Sequence, residues 1–220
     1  MPEPRGQAGG QLTGVSCTSA THCVAVSNQD YSEIWNGRVW KVAPSAGGSV
    51  LSVSCTSYKF CVAAGASADV WNGSTWTAMT VPTPVGAVYD GFYSVSCGSP
   101  TSCAIAGFYE MNEIRYSLLD LWDGTSWTQQ SLPASAGTVS LNAVSCPRPG
   151  NACTAVGSLG TGQNAKPLVE HWNGTEWKRT PASSTRRSRG PASSTLCPAS
   201  PRSPAWRPGP PTPSTPASSA

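Results

Sequence analysis

Apolar and polar positions along this chain follow one order, repeated four times. An apolar residue (Leu12, Val50, Phe92, Leu141) stands five before a cysteine that closes a Val-Ser-Cys triplet at Cys17, Cys55, Cys97 and Cys146. A short polar stretch leads to a second cysteine, Cys23, Cys61, Cys103 or Cys153. A small apolar run follows: Val24-Ala-Val26, Val62-Ala-Ala-Gly65, Ala104-Ile-Ala-Gly107 and Thr154-Ala-Val-Gly157. After a connector of variable length come two tryptophans with Asn-Gly or Asp-Gly behind the first: Trp35 and Trp40, Trp71 and Trp76, Trp122 and Trp127, Trp172 and Trp177. Apolar runs this short, bounded by Gly, Ser and Asn, predict strands. The four strands of each unit are a (Val-Ser-Cys), b (after the second cysteine), c (ending at the first Trp) and d (starting at the second Trp).

Asn-Gly between apolar runs is a strong hairpin signal and predicts a two-residue turn with both residues at positive φ. Side chains alternate along a strand, so both indoles then emerge on one face as diagonal neighbours. A four-residue loop would pair them directly and keep them on that face. A carboxylate stands two before each first Trp: Glu33, Asp69, Asp120 and Glu170. It is expected to share the indole face, to lie opposite the second Trp, and to serve as a buried acceptor. A ring of cation ligands is the sharper alternative. The Gly and Ala of strand b leave room for the indoles of an adjoining unit.

The first cysteines are 38, 42 and 49 residues apart. That period, with four strands per unit, predicts an all-β fold of four-stranded antiparallel β-propeller blades, four of them in an incomplete propeller. The expected division is a linker remnant of an upstream repeat at 1–11, blades at about 12–49, 50–91, 92–138 and 139–181, and a disordered Pro/Ser/Arg-rich tail at 182–220. The tail reads as a frameshifted or degenerate fifth repeat, with Cys197 near the next expected first cysteine.

Nine cysteines with two histidines favour disulfides over zinc, pairing Cys17 with Cys23, Cys55 with Cys61, Cys97 with Cys103 and Cys146 with Cys153. This implies an oxidising, extracellular setting, although Met1-Pro-Glu-Pro-Arg-Gly is no signal peptide. No apolar run approaches the length of a membrane span. The positive charge sits in the last segment, where six arginines follow Lys178 without an acid, so the basic balance is no sign of a nucleic-acid surface on the repeats, and no nucleic-acid partner is expected. His22 and His171 have no ligand partner at useful spacing, and no cofactor or metal is expected.

The combined motif, Val-Ser-Cys, Cys, Ala-Val-Gly and Trp-Asn-Gly-x-x-Trp, resembles the repeat of secreted bacterial β-propellers. These belong to the broad BNR/Asp-box, kelch and WD-repeat superfamily. The Asp-box order Ser-x-Asp-x-Gly, the Gly-His of WD repeats and the kelch double Gly are all missing, so no sialidase catalytic residue carries over.

In a propeller, the a–b and c–d turns share one rim and the b–c and d–a connectors the other. The second rim varies most in length and is the expected binding face. Its candidates are Tyr31, Tyr89, Phe92, Phe108, Tyr109, Arg115, Tyr116, Asn164 and Lys166, for a glycan or protein ligand. The expected function is non-enzymatic binding or scaffolding, with a sialidase-like or glycoside-hydrolase-like propeller as the rival. Unpaired blade faces, rich in indole, would self-associate.

Overall fold

The computed structural model describes residues 10–180, apart from 30, 134–138, 151 and 161 and the side chain of Tyr89. Most of the expected linker and all of the expected tail lie outside these residues. Blade 1 holds β1 (Leu12–Ser19), β2 (His22–Ser27), β3 (Ser32–Trp35) and β4 (Trp40–Ala43). Blade 2 holds β5 (Val50–Ser57), β6 (Phe60–Gly65), β7 (Ala68–Trp71) and β8 (Trp76–Met79). Blade 3 holds β9 (Tyr89–Ser99), β10 (Ser102–Met111), β11 (Ile114–Trp122) and β12 (Trp127–Gln129). Blade 4 holds β13 (Val139–Ser145), β14 (Cys153–Leu159), β15 (Lys166–Trp172) and β16 (Trp177–Thr180). Each blade is an antiparallel meander in chain order, as the motif predicts.

All four cysteine pairs are bonded, Cys17–Cys23, Cys55–Cys61, Cys97–Cys103 and Cys146–Cys153. Each joins strand a to strand b. Every strand a also carries a bulge four residues before its cysteine, at Thr13, Leu51, Tyr93 and Asn142. The extra residue explains a spacing that simple alternation does not. It turns Leu12 and Val15, and their counterparts Val50 and Val53, Phe92 and Val95, Leu141 and Val144, onto one face although they are three apart. In blades 2 to 4 the bulge presses on a strand-b glycine. A Cβ on Gly65, Gly107 or Gly157 would collide with the backbone carbonyl of Ser49, Gly91 or Ser140. Gly107→Ala is therefore expected to cost about 1–3 kcal/mol, as overpacking does. Urea denaturation would show it, and an unchanged midpoint would remove the bulge from the account.

The Trp loops correct the two-residue expectation. Trp35 pairs directly with Trp40, Trp71 with Trp76, Trp122 with Trp127 and Trp172 with Trp177, so each loop has four residues. Only the glycine in each has positive φ, as at Gly37 and Gly73. The reason is local. The Asn36 side-chain oxygen accepts from the backbone N–H groups of Arg38 and Val39, both at 3.0 Å, and Asn72, Asp123 and Asn173 repeat this. A side chain that satisfies the loop's own donors stabilises the longer turn. At Asp123 the bonds from Ser126 N–H and then Thr125 hold the carboxyl down at about 2. The indole pairs sit tilted at 5.4–5.8 Å between ring centroids. The first indole of blades 1 to 3 also donates to a carbonyl in the a–b turn, of Ala20, Tyr58 or Pro100.

Blades pack face to face around inner strands β1, β5, β9 and β13, each against the next. One core joins Val24 and Val26 of blade 1 to Val50, Val53, Ala63 and Trp71 of blade 2. A second joins Val62, Ala64 and Ala68 to Phe92, Val95, Ile105, Leu118 and Trp127. A third joins Ala104, Ala106 and Leu119 to Leu141, Val144, Leu168 and Trp177. Large residues of one blade thus meet small ones of its neighbour, as expected. The constant serine of Val-Ser-Cys ties the inner strands together. Ser16, Ser54 and Ser96 accept through Oγ from the N–H groups of Cys55, Cys97 and Cys146 in the following blade, at 2.8–2.9 Å. Among the described residues β13 does not return to pack on β1 as the successive inner strands pack on each other, so the four blades form an open arc. No helix among the described residues is long and apolar enough to cross a membrane.

Candidate functional site

The connectors b–c and d–a meet on the rim away from the disulfides, and blade 3 extends furthest there. By the repeat pattern, residues 109–116 belong to the b–c connector of blade 3. The structure instead continues β10 and β11 into a hairpin closed by Asn112 and Glu113, both at positive φ, 54° and 62°. Two successive left-handed residues make the tight turn that matches strand twist. Cross-strand pairing then arranges the side chains. Tyr109 stacks on Tyr116 with centroids 5.2 Å apart on the side facing blade 2. On the other side Arg115 lies 4.4 Å over the ring of Phe108 and reaches Glu110 at 3.5 Å. Phe108 in turn stacks on Tyr93 at 5.3 Å. Sequence reasoning missed Tyr93, because its orientation depends on the bulge it occupies; the same bulge position in the other strands a is its only signal.

The d–a connector between blades 2 and 3 runs beside this hairpin. Val88 N–H donates to the Glu110 carbonyl at 2.9 Å, and Gly86 lies against Met111. Val85, Val88, Ile114 and Tyr116 are all exposed at this corner. Tyr89 opens β9 opposite Glu110. Four of the predicted residues, Phe108, Tyr109, Arg115 and Tyr116, therefore share one hairpin. Tyr31, Phe92, Asn164 and Lys166 do not join them. Tyr31 is buried, its carbonyl accepting from Ser27 Oγ and its ring filling the space beside Gly10. Phe92 is buried in the core between blades 2 and 3. Asn164 ends a 3-10 turn (Gly162–Asn164) in blade 4, and Lys166 begins β15; both are exposed.

The repeated carboxylates are buried in strand c, but their surroundings differ. They do not lie opposite the second Trp, since the longer loop moves that position to Val42, Ala78, Gln129 and Arg179. Asp69 accepts from Ser67 Oγ at 2.7 Å. Glu170 accepts from Arg179 Nη2 at 2.7 Å, and the same guanidinium donates to the Pro133 carbonyl. Asp120 is fully buried, and neither of its oxygens accepts a hydrogen bond. Desolvation, and then the nearby Asp90 charge, push its carboxyl up to about 7. These carboxylates are not acceptors of an indole N–H: Trp127 and Trp177 keep Nε1 buried without a partner. Among the described residues no three His, Cys, Asp or Glu side chains gather as a metal site.

No protein-family model and no curated protein matches the chain. Solved structures do match it in fold. The WD40 repeats of RRP9 align at TM-score 0.51 and 9% identity over 77% of this chain and 52% of that one. U3-55K aligns at 0.51 and 9% over 77% and 53%. YCF48 from Cyanidioschyzon merolae aligns at 0.50 and 14% over 80% and 58%. The chain thus spans about half to three fifths of these proteins, and at such identities the likeness establishes the fold: four blades of a β-propeller.

Proposed function

We propose that this chain is a non-enzymatic binding or scaffold module that works outside the cell and takes a protein ligand on the rim formed by the blade 3 hairpin and the adjoining d–a connector. The observation that carries this reading is the exposed apolar corner of Val85, Val88, Ile114 and Tyr116, backed by the Tyr109–Tyr116 stack. Contiguous exposed apolar surface on a soluble fold marks an interaction site. A rigid tyrosine pair supplies contact area at little entropic cost. A glycan is the second ligand class the aromatic rings suit, but valine and isoleucine offer a sugar no hydrogen bond. The four disulfides support an oxidising setting.

The test is selection of a displayed peptide library on the intact protein, followed by substitution of Ile114→Ser with Tyr116→Ala. Both side chains are surface-exposed, so folding should hold by circular dichroism. Selected peptides are expected to lose at least about tenfold in affinity, as for an apolar anchor. Peptides that bind the variant equally, or a glycan array that gives the stronger signal, would overturn the assignment.

A further inference from the structure

Blade 3 leaves a strand edge open beside its exposed apolar corner. β11 runs from Ile114 to Trp122, but β12 pairs only with Asp120, Leu121 and Trp122. One further bond follows, from Gln130 N–H to the Leu119 carbonyl at 2.8 Å. In an antiparallel pair the N–H and C=O of one residue point to the same edge, and the direction alternates along the strand. The Leu119 bond therefore turns the main-chain groups of Ser117 and Arg115 to the outer edge. Tyr116 and Leu118 turn inward, to Tyr109 and Gly107 of β10. The Val88 bond to the Glu110 carbonyl gives the same phase from the other side of the blade. Among the described residues nothing pairs with the main-chain N–H and C=O of Arg115 or Ser117. After Gln130 the chain turns toward blade 4, where Leu132 packs and the Pro133 carbonyl accepts from Arg179.

A row of donors and acceptors at strand spacing is complementary to another extended main chain. The side chains narrow the choice. A residue opposite Ile114 or Tyr116 would point to their face of the sheet, beside exposed Val85 and Val88 and the Tyr109–Tyr116 stack, so an apolar side chain suits it. The residue between them, opposite Arg115, would point to the other face, where Arg115 covers Phe108 and meets Glu110. A second copy of this chain does not fit the edge. If its β11 paired through Arg115 and Ser117 together, its own Asn112-Glu113 turn would fall opposite Leu119, where Gln130 already bonds. A free extended segment meets no such obstacle.

We infer that the protein ligand of this rim binds by strand addition. An extended segment lies antiparallel along the open edge of β11 and continues the line that β12 begins. It bonds the N–H and C=O of Arg115 and Ser117, and it sets apolar side chains two residues apart onto Ile114 and Tyr116. This rests on the reading of the blade 3 corner as the docking rim, and adds how the ligand is held there.

Amide exchange and backbone methylation of a linear peptide selected on the intact protein test it. In the free chain the amides of Arg115 and Ser117 should exchange rapidly, while those of Tyr116 and Leu118 are protected. The peptide should slow the first two. An N-methyl scan along it should alternate, with a loss of about tenfold at each residue that donates to the Arg115 or Ser117 carbonyl and none at the residue between. Ser117→Pro removes an outward N–H that the blade itself does not use, as an edge position allows, and should also weaken the peptide about tenfold. Ser117→Ala keeps that N–H and should bind as the parent does. The methyl scan uses the unaltered protein, so it decides the matter even if the proline variant misfolds. Protected Arg115 and Ser117 amides in the free chain, or a scan without alternation, would overturn strand addition. If Ile114→Ser with Tyr116→Ala still weakened that same peptide, the docking rim would stand and only its mode of binding would fall. A library that yields no binder, or peptides indifferent to both the scan and the corner substitutions, would overturn the two together.

Discussion

Reduction of the four disulfides is expected to unfold the blades at room temperature. Each bridge closes a ring of about seven residues, for which the loss of chain entropy in the unfolded state is worth about 2–3 kcal/mol. Four together come to about 8–12 kcal/mol, against about 5–15 kcal/mol for the net stability of a typical domain. The blades have little else to draw on, since charged residues are 11% of the chain and much of the buried surface is Ala, Val and Cys. Access decides the order of events. Cys61 and Cys103 are covered by the preceding blade, so their bridges open only after blades separate, whereas Cys17 is exposed and its bridge is the first open to a reductant. Tryptophan fluorescence in urea, with and without a phosphine reductant, measures the effect. Coincident midpoints would show that the packing, not the bridges, holds the blades.

The second large effect is a loss of stability as pH rises. Asp120 in the unfolded chain ionises near 4, while in the fold its carboxyl is raised to about 7. Below pH 4 it is protonated in both states, and its contribution is fully retained. Between about pH 4 and 7 the unfolded chain ionises first and stability falls. Above 7 both states are charged and the loss is complete, about 2–4 kcal/mol for a group so deeply buried. Asp120→Asn keeps the shape and removes the titration. The variant is expected to be more stable than the parent at pH 8 and to converge with it at pH 4. Parallel pH profiles for the two proteins would exclude Asp120 as the source.

Much of this architecture was legible in the chain because it is written four times. The cysteine pairs, the strand order within each blade and the shared face of the indoles follow from spacing alone. The choice between a two-residue and a four-residue Trp loop was not legible, because Asn-Gly alone does not reveal whether the Asn side chain will cap the turn. The blade 3 hairpin was read as a loop because Asn112-Glu113 is an unusual occupant of a tight turn, and glutamate seldom takes positive φ. Tyr31 and Phe92 were chosen as aromatics near connectors, and burial claimed both. The serine of Val-Ser-Cys stood in plain view in every repeat. Its role needed the neighbouring strand, which the linear order does not show.

That serine gives the assembly a direction. Blades 1 to 3 each offer a serine oxygen forward and blades 2 to 4 each bond to it from behind, through the same two positions each time. A gene encoding such units can gain, lose or reorder them whole without inventing a new contact at any seam.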